Sequence, residues 1–93
     1  MVPKRLKEAR IQAGLTQEKL GVLAGIEEST AYSRLSQYEK GTHRPTFEQV
    51  CAFAKVLNMP ECYFYTREDQ FAQVVLKAYL AYQQSKHKID DDM

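Results

Sequence analysis

Between Thr16 and Arg44 the chain carries two helix-length segments, each with its own start and stop signal, separated by little more than a turn. Thr16 can accept an N–H of a first helical turn through its side-chain oxygen. Glu18 follows in that turn, where negative charge is favoured. Leu20, Leu23 and Ala24 then supply an inner face, and Gly25 ends the segment. Ile26 points back to a core, and Glu27-Glu28-Ser29-Thr30 forms a polar connection in which Ser29 or Thr30 caps the next helix. Ala31, Leu35 and Tyr38 recur at i, i+4 and i+7 as its buried face, and Gly41 closes it. Gly21 interrupts the first of these helices at a cost of about 1 kcal/mol relative to alanine. A helix crossing close overhead justifies it; a tolerated defect is the other reading. The remaining chain must hold this pair in place.

The flanks read as helices too. Pro3 suits a first helical position, and Val2, Leu6, Ala9 and Ala13 share a face that ends at Gly14. Thr46 caps a fourth helix with Phe47, Val50, Phe53 or Ala54, and Leu57 as its apolar stripe. Pro60 begins a short aromatic segment, Glu61 to Tyr65, that lids the core. A sixth helix runs from about Arg67 to Gln84, with Phe71, Val74, Val75, Ala78 and Tyr82 on one face and Leu76, Tyr79 and Leu80 partly on another. That arc is wider than one core contact needs. No segment has strand periodicity and none repeats. The expectation is an all-α chain: a helical domain over residues 1–66, a C-terminal helix over 67–84, and a polar, frayed tail over 85–93.

Composition narrows the function. Ninety-three residues suit one domain with a modest core. The net charge is only +1, yet residues 1–57 carry nine Lys/Arg against six Asp/Glu, and the remainder four against six. The positive excess lies on the half that holds the paired helices. Cys51 and Cys62 are too few and too far apart for a disulfide framework or a zinc site, and read as core thiols of a reducing compartment. The N-terminus has no apolar run behind it, and no stretch approaches the roughly 20 apolar residues that span a bilayer. A cytoplasmic protein without membrane contact is expected. There is no glycine-rich phosphate loop, no metal-ligand spacing and no nucleophile motif around His43, so neither an enzyme nor a cofactor is implied.

Two short helices across a glycine turn are the unit that sets one helix into a DNA major groove. Opposite the buried face of the second helix lie Ser33, Ser36, Gln37 and Lys40, flanked by Tyr32 and Arg34, with no acidic side chain from Ala31 to Tyr38. Glutamine can pair bidentately with adenine and arginine with guanine. The competing reading is the ordinary polar face of any surface helix.

These residues also carry a resemblance. Arg10, Thr16-Gln17-Glu18-Lys19-Leu20, Ala24-Gly25-Ile26, Tyr38-Glu39-Lys40-Gly41, Arg44-Pro45 and Ala54-Lys55-Val56-Leu57 stand in the order and roughly the spacing of the phage-repressor (Cro/C1, or XRE) helix-turn-helix regulators, which the chain resembles. The resemblance spans residues 4–65 and implies a compact five-helix DNA-binding domain that pairs on an operator as a homodimer. It implies a phosphate contact for Gln17 and base-side contacts for Tyr32, Ser33 and Gln37, with Arg34 and Ser36 on the same stripe. It implies phosphate contacts along Lys40, Thr42, His43 and Arg44, and a structural ion pair between Arg10 and Glu39. The run from Gly25 to Glu39 is longer than the family's usual form, as in a subgroup with an extended turn; Glu27–Thr30 is the extension, lengthening either the turn or the recognition helix. The wide arc of Phe71, Val74, Val75, Leu76, Ala78, Tyr79 and Tyr82 then reads as the dimer interface. A protein-binding adapter or antitoxin-like subunit on the same fold is the second reading.

Overall fold

Three helices start for local reasons that the sequence states outright. Pro3 opens α1 (Pro3–Gln12). The Thr16 and Thr46 hydroxyls accept the backbone N–H of Lys19 and Gln49, each at 3.1 Å, and open α2 (Gln17–Leu23) and α4 (Phe47–Leu57). The computed structural model describes residues 1–91, and side chains as far as residue 86. Its remaining elements are α3 (Glu28–Lys40), a 3-10 helix (Glu61–Tyr65) and α5 (Asp69–Asp91). No strand occurs among the described residues. None of their helices is long and apolar enough to cross a membrane. Gly14, Gly41 and Asn58 take left-handed φ values of 72°, 80° and 54° just past the ends of α1, α3 and α4. That conformation lets each chain end fold back onto orphan carbonyls of the helix.

Two boundaries differ from the sequence expectation. Helix α3 begins at Glu28, ahead of both residues expected to cap it, with no side-chain cap bond. The Thr30 hydroxyl donates to the Glu27 carbonyl at 3.4 Å instead of accepting an N–H, so Ser29 and Thr30 enter the first turn. Glu28, Ser29 and Thr30 thus belong to α3, and the turn between α2 and α3 is short. Helix α5 continues past Gln84 to Asp91, into the stretch expected to fray. Gln83, Gln84, Ser85 and Lys86 contain no breaker, so nothing local stops it. Asp92 and Met93 lie outside the described residues.

The core gathers one face from each element: Leu6 and Ala9, Leu20, Ala31, Leu35 and Tyr38, Val50, Phe53, Ala54 and Leu57, then Tyr63 and Phe64, with Ile26 from the turn and Ala72 from α5. Three expected core residues are exposed. Ala13 falls beyond the last turn of α1, and Leu23 lies on the side of α2 away from α3. Phe47 stacks on Tyr65 at the surface, with ring centroids 6.3 Å apart. Cys51 is half-buried and Cys62 exposed, where core thiols were expected; both are free.

Gly21 has the reason it needed. A Cβ there would meet the Ala31 Cβ at 2.8 Å, the Leu35 Cδ2 at 3.0 Å and the Ala31 Cα at 3.3 Å. The backbone of α2 therefore lies directly against α3. Polar side chains tie the other helix pairs. Arg10 on α1 forks onto Glu39 at the end of α3, at 2.7 and 3.0 Å, and gives a third N–H to the Leu15 carbonyl at 2.9 Å. Arg5 on α1 is 1% exposed and reaches the joint before α5, where it meets Asp69 at 2.8 Å; Lys4 meets the same carboxylate at 2.8 Å.

Replacing Gly21 by alanine should destabilise the fold despite alanine's higher helix propensity, because the Ala31 Cβ and Cα are fixed by backbone and cannot yield. A net loss of about 1–2 kcal/mol is expected, read as a melting temperature lower by about 5–10 °C. A rise in melting temperature would mean that α2 and α3 can separate freely. Lys4 and Arg5 also hold the Asp69 carboxyl below its ordinary value of 3.8 by hydrogen bonding, Lys4 contributing most. A depressed folded-state value contributes stability at neutral pH that is lost as the pH falls below 3.8 toward that value. Asp69→Asn should therefore show a shallower decline of stability than wild type across that acid range, measured by denaturant titration at stepped pH.

Candidate nucleic-acid interface

Because Ala31, Leu35 and Tyr38 face inward, the opposite side of α3 faces solvent. Tyr32 is 63% exposed, and Ser33, Arg34, Gln37 and Lys40 are exposed along the same helix; Ser36 is half-buried beside them. Arg34 and Gln37 make no side-chain hydrogen bond or ion pair among the described residues, so their donors and acceptors are free for a partner. The Ser33 hydroxyl donates to the Thr30 carbonyl at 3.2 Å. Its proton is committed, and its lone pairs remain to accept a bond from outside.

Two clefts flank this face. One, about 570 Å³, is lined by Lys7 and Arg10 of α1, Thr16, Gln17 and Glu18 at the start of α2, and Tyr32, Ser36, Glu39 and Lys40 of α3. Gln17 sits in it with its amide oriented. Its Nε2 donates to Glu39 Oε1 at 3.1 Å, the oxygen that also receives Arg10 Nη2. A carboxylate only accepts, so the nitrogen must face Glu39, and the second N–H and the carbonyl of Gln17 face outward. Arg10 and Glu39 are thus more than the tie between α1 and α3, because Glu39 also fixes which way Gln17 points. The Glu39 side chain is 3% exposed and that of Arg10 13%, so neither is itself presented to a partner.

The second cleft, about 640 Å³, lies at the C-terminal end of α3. Gly41, His43, Arg44 and Pro45 form one wall, Met1 to Lys4 another, with Tyr38, Tyr65 and Arg67 completing it. No acidic residue is among these. Thr42 stands apart from its expected role as a hydroxyl donor: its Oγ1 donates to the Gln37 carbonyl at 3.2 Å, and its backbone N–H caps the same carbonyl at 3.1 Å. It shapes the helix end.

Three cations of these clefts escaped the sequence reading, and one of them, Lys4, is paired with Asp69. Lys7 lies three residues before Arg10, hence on the same face of α1; that spacing was the available signal. Arg67 is brought to the second cleft by tertiary packing alone. The residues expected to form a dimer interface divide. On α5, Phe71, Val74, Ala78 and Tyr82 form an exposed row, whereas Val75 and Leu76 are half-buried against the core and Tyr79 accepts a bond from Gln83 at 2.7 Å. The arc is wide because α5 presents one strip to the head, the body formed by α1 to α4 and the 3-10 helix, and a second to solvent.

Comparison with known proteins fits this arrangement. The sequence profile of the helix-turn-helix family matches residues 6–64, from α1 through the 3-10 helix. An uncharacterized HTH-type transcriptional regulator from Sinorhizobium medicae (strain WSM419) and another from Rhizobium meliloti (strain 1021) are each 33% identical over 64 residues. That alignment takes in 69% of this chain but only 43% of each relative, so the chain spans less than half their length. The crystal structure of the transcriptional regulator BswR superposes with a TM-score of 0.82 at 34% identity, covering 100% of this chain and 95% of that one. With an all-helical fold, a paired α2–α3 unit and this match over most of its length, the chain belongs to the XRE-type helix-turn-helix family of transcriptional regulators.

Proposed function

We propose that this protein binds a specific double-stranded DNA operator as a homodimer, with α3 in the major groove of each half-site, and so regulates transcription in the cytoplasm. The observation that carries this reading is the exposed face of α3. It has free Gln37 and Arg34 side chains, no acidic residue from Ser29 to Tyr38, and a cation-bearing cleft on either side. Gln37 and Ser33 read bases: the glutamine offers a donor and an acceptor to adenine, and the serine accepts from an exocyclic amine. Tyr32 packs on base edges, and Arg34 takes guanine or the nearest phosphate. Gln17 gives its remaining N–H to a phosphate, joined by Lys7 and Lys40, while His43 and Arg44 continue the phosphate track and Ser36 lines it. Thr42 contributes through the backbone geometry it sets. The exposed row Phe71, Val74, Ala78 and Tyr82 pairs two copies; contiguous apolar surface of this kind marks an association site.

Binding should weaken steeply as salt rises, in proportion to the phosphates neutralised. In a fluorescence-polarisation titration, Gln37→Ala should relax sequence preference and lose about 1–3 kcal/mol on the preferred duplex. Lys7→Ala and Lys40→Ala should weaken all duplexes alike and flatten the salt slope. Binding indifferent to salt and to sequence would overturn the reading, and co-purification with a non-identical chain would favour the adapter instead. Introducing Glu at Val74 should convert a dimer to a monomer by light scattering while leaving the helical circular-dichroism signal intact; an unchanged mass would place the dimer contact elsewhere.

A further inference from the structure

Arg5 is the largest fully enclosed side chain among the described residues, and none of its hydrogen bonds or ion pairs goes to the exposed face of α3. A buried guanidinium must satisfy its N–H groups in fixed directions. Its Nε donates to the Thr66 carbonyl at 3.1 Å, and its Nη2 to the Arg67 carbonyl at 3.1 Å and to Asp69 Oδ1 at 2.8 Å. The Tyr63 ring lies beneath it, 5.7 Å from centroid to guanidinium carbon. Glu8, at 3.5 Å, is its one partner on its own helix. Everything else Arg5 holds belongs to the joint that launches α5.

We propose that Arg5 is a positioning residue that sets the angle between the DNA-reading head and α5, and thereby the half-site spacing that the dimer accepts. This rests on pairing through α5. Beyond the joint, α5 meets the head through buried Ala72, half-buried Val75 and Leu76, and one hydrogen bond from Gln83 to Asn58 at 3.1 Å. Apolar contacts of that kind are non-directional and permit rolling and tilt. The Arg5 fork is directional, because three acceptors at separate points along the chain are read by one rigid plane.

The leverage is large. At about 1.5 Å rise per residue, Tyr82 lies about 20 Å along the axis from Asp69. A swing of about 10° at the joint therefore shifts the pairing row by about 3.5 Å, which is one base-pair step of DNA. Two recognition helices must sit about 34 Å apart to enter successive major grooves, so a loose joint blurs the spacing and a rigid one selects it.

The test uses the full chain and a palindromic duplex selected by the wild-type protein from a randomised library, then remade with one and two base pairs inserted or removed between half-sites. Affinities are measured for wild type, Arg5→Lys and Asp69→Asn. Lysine keeps the charge and loses the fork; Asp69→Asn alters a solvent-exposed carboxylate and leaves Arg5 buried, so it tests the joint if Arg5→Lys fails to fold. Wild type should lose about tenfold or more on a one-base-pair change. The variants should bind the selected spacing within about threefold of wild type and the altered spacings almost equally well. Loss of stability alone would lower every affinity together and leave the profile unchanged. Folded variants that keep the wild-type profile overturn the inference alone. A wild-type protein with no spacing preference overturns the dimer reading and this inference with it.

Discussion

The distance between α2 and α3 governs the rest of the molecule. Gly21 lets backbone meet backbone at a separation that even one methyl group would violate. With the helices that close, Leu20 and Ile26 reach the same core as Ala31 and Leu35, and the opposite side of α3 is left facing solvent as a continuous polar face. The crossing is then locked from above by a polar contact. Arg10, Glu39 and Gln17 join α1, the end of α3 and the start of α2 through one nearly buried carboxylate. Removing either charge would strand the other in a poorly solvated site, a loss far above that of an exposed pair. The apolar approach sets the angle, and the ionic fork prevents α3 from sliding along it.

Much of this was legible in the sequence because short-range chemistry decides it. The caps at Thr16 and Thr46, the stops at Gly14 and Gly41, and the i, i+4, i+7 pattern of Ala31, Leu35 and Tyr38 need only neighbouring residues to be read. Arg10 and Glu39, named from the family resemblance, meet as that resemblance implied. Some of the misses turned on a contact distant in sequence. Arg5 carries the composition of a surface residue, and nothing near it announces that Thr66, Arg67 and Asp69 will close over it. Phe47 has the spacing of a core residue, yet its place on the first turn of α4 leaves it stacked on Tyr65 at the surface. Leu23 is apolar at the right period, but at the end of α2 it lines an open cleft beside Ala52 and Val56 of α4 and stays half exposed. The start of α3 turned on a hydroxyl that can either accept from or donate to the backbone, and Thr30 donates.

The weak net charge of the chain conceals a sorted surface. Lys7 and Lys40 gather on one side of α3, where the carboxylate of Glu39 is already engaged by Arg10 and Gln17, and His43, Arg44 and Arg67 gather beyond its C-terminal end, while Asp69 is engaged by Lys4 and Arg5. Apolar surface is sorted as well. Helix α5 turns Ala72, Val75 and Leu76 to the head and keeps Phe71, Val74 and Tyr82 outside. One helix thus carries two adjacent apolar strips, one buried against the core and one exposed.

The Arg5 clamp also bears on how such a chain can be rearranged. The boundary that sequence suggests, between residues 66 and 67, runs between two of the carbonyls that Arg5 holds. A cut there would leave a buried cation facing open solvent, and a foreign helix joined there would need to bring its own carbonyl and carboxylate to the same places. The joint is shared property of both parts. An exchange of the last helix would therefore keep the Arg5 contacts only if the first helix came with it.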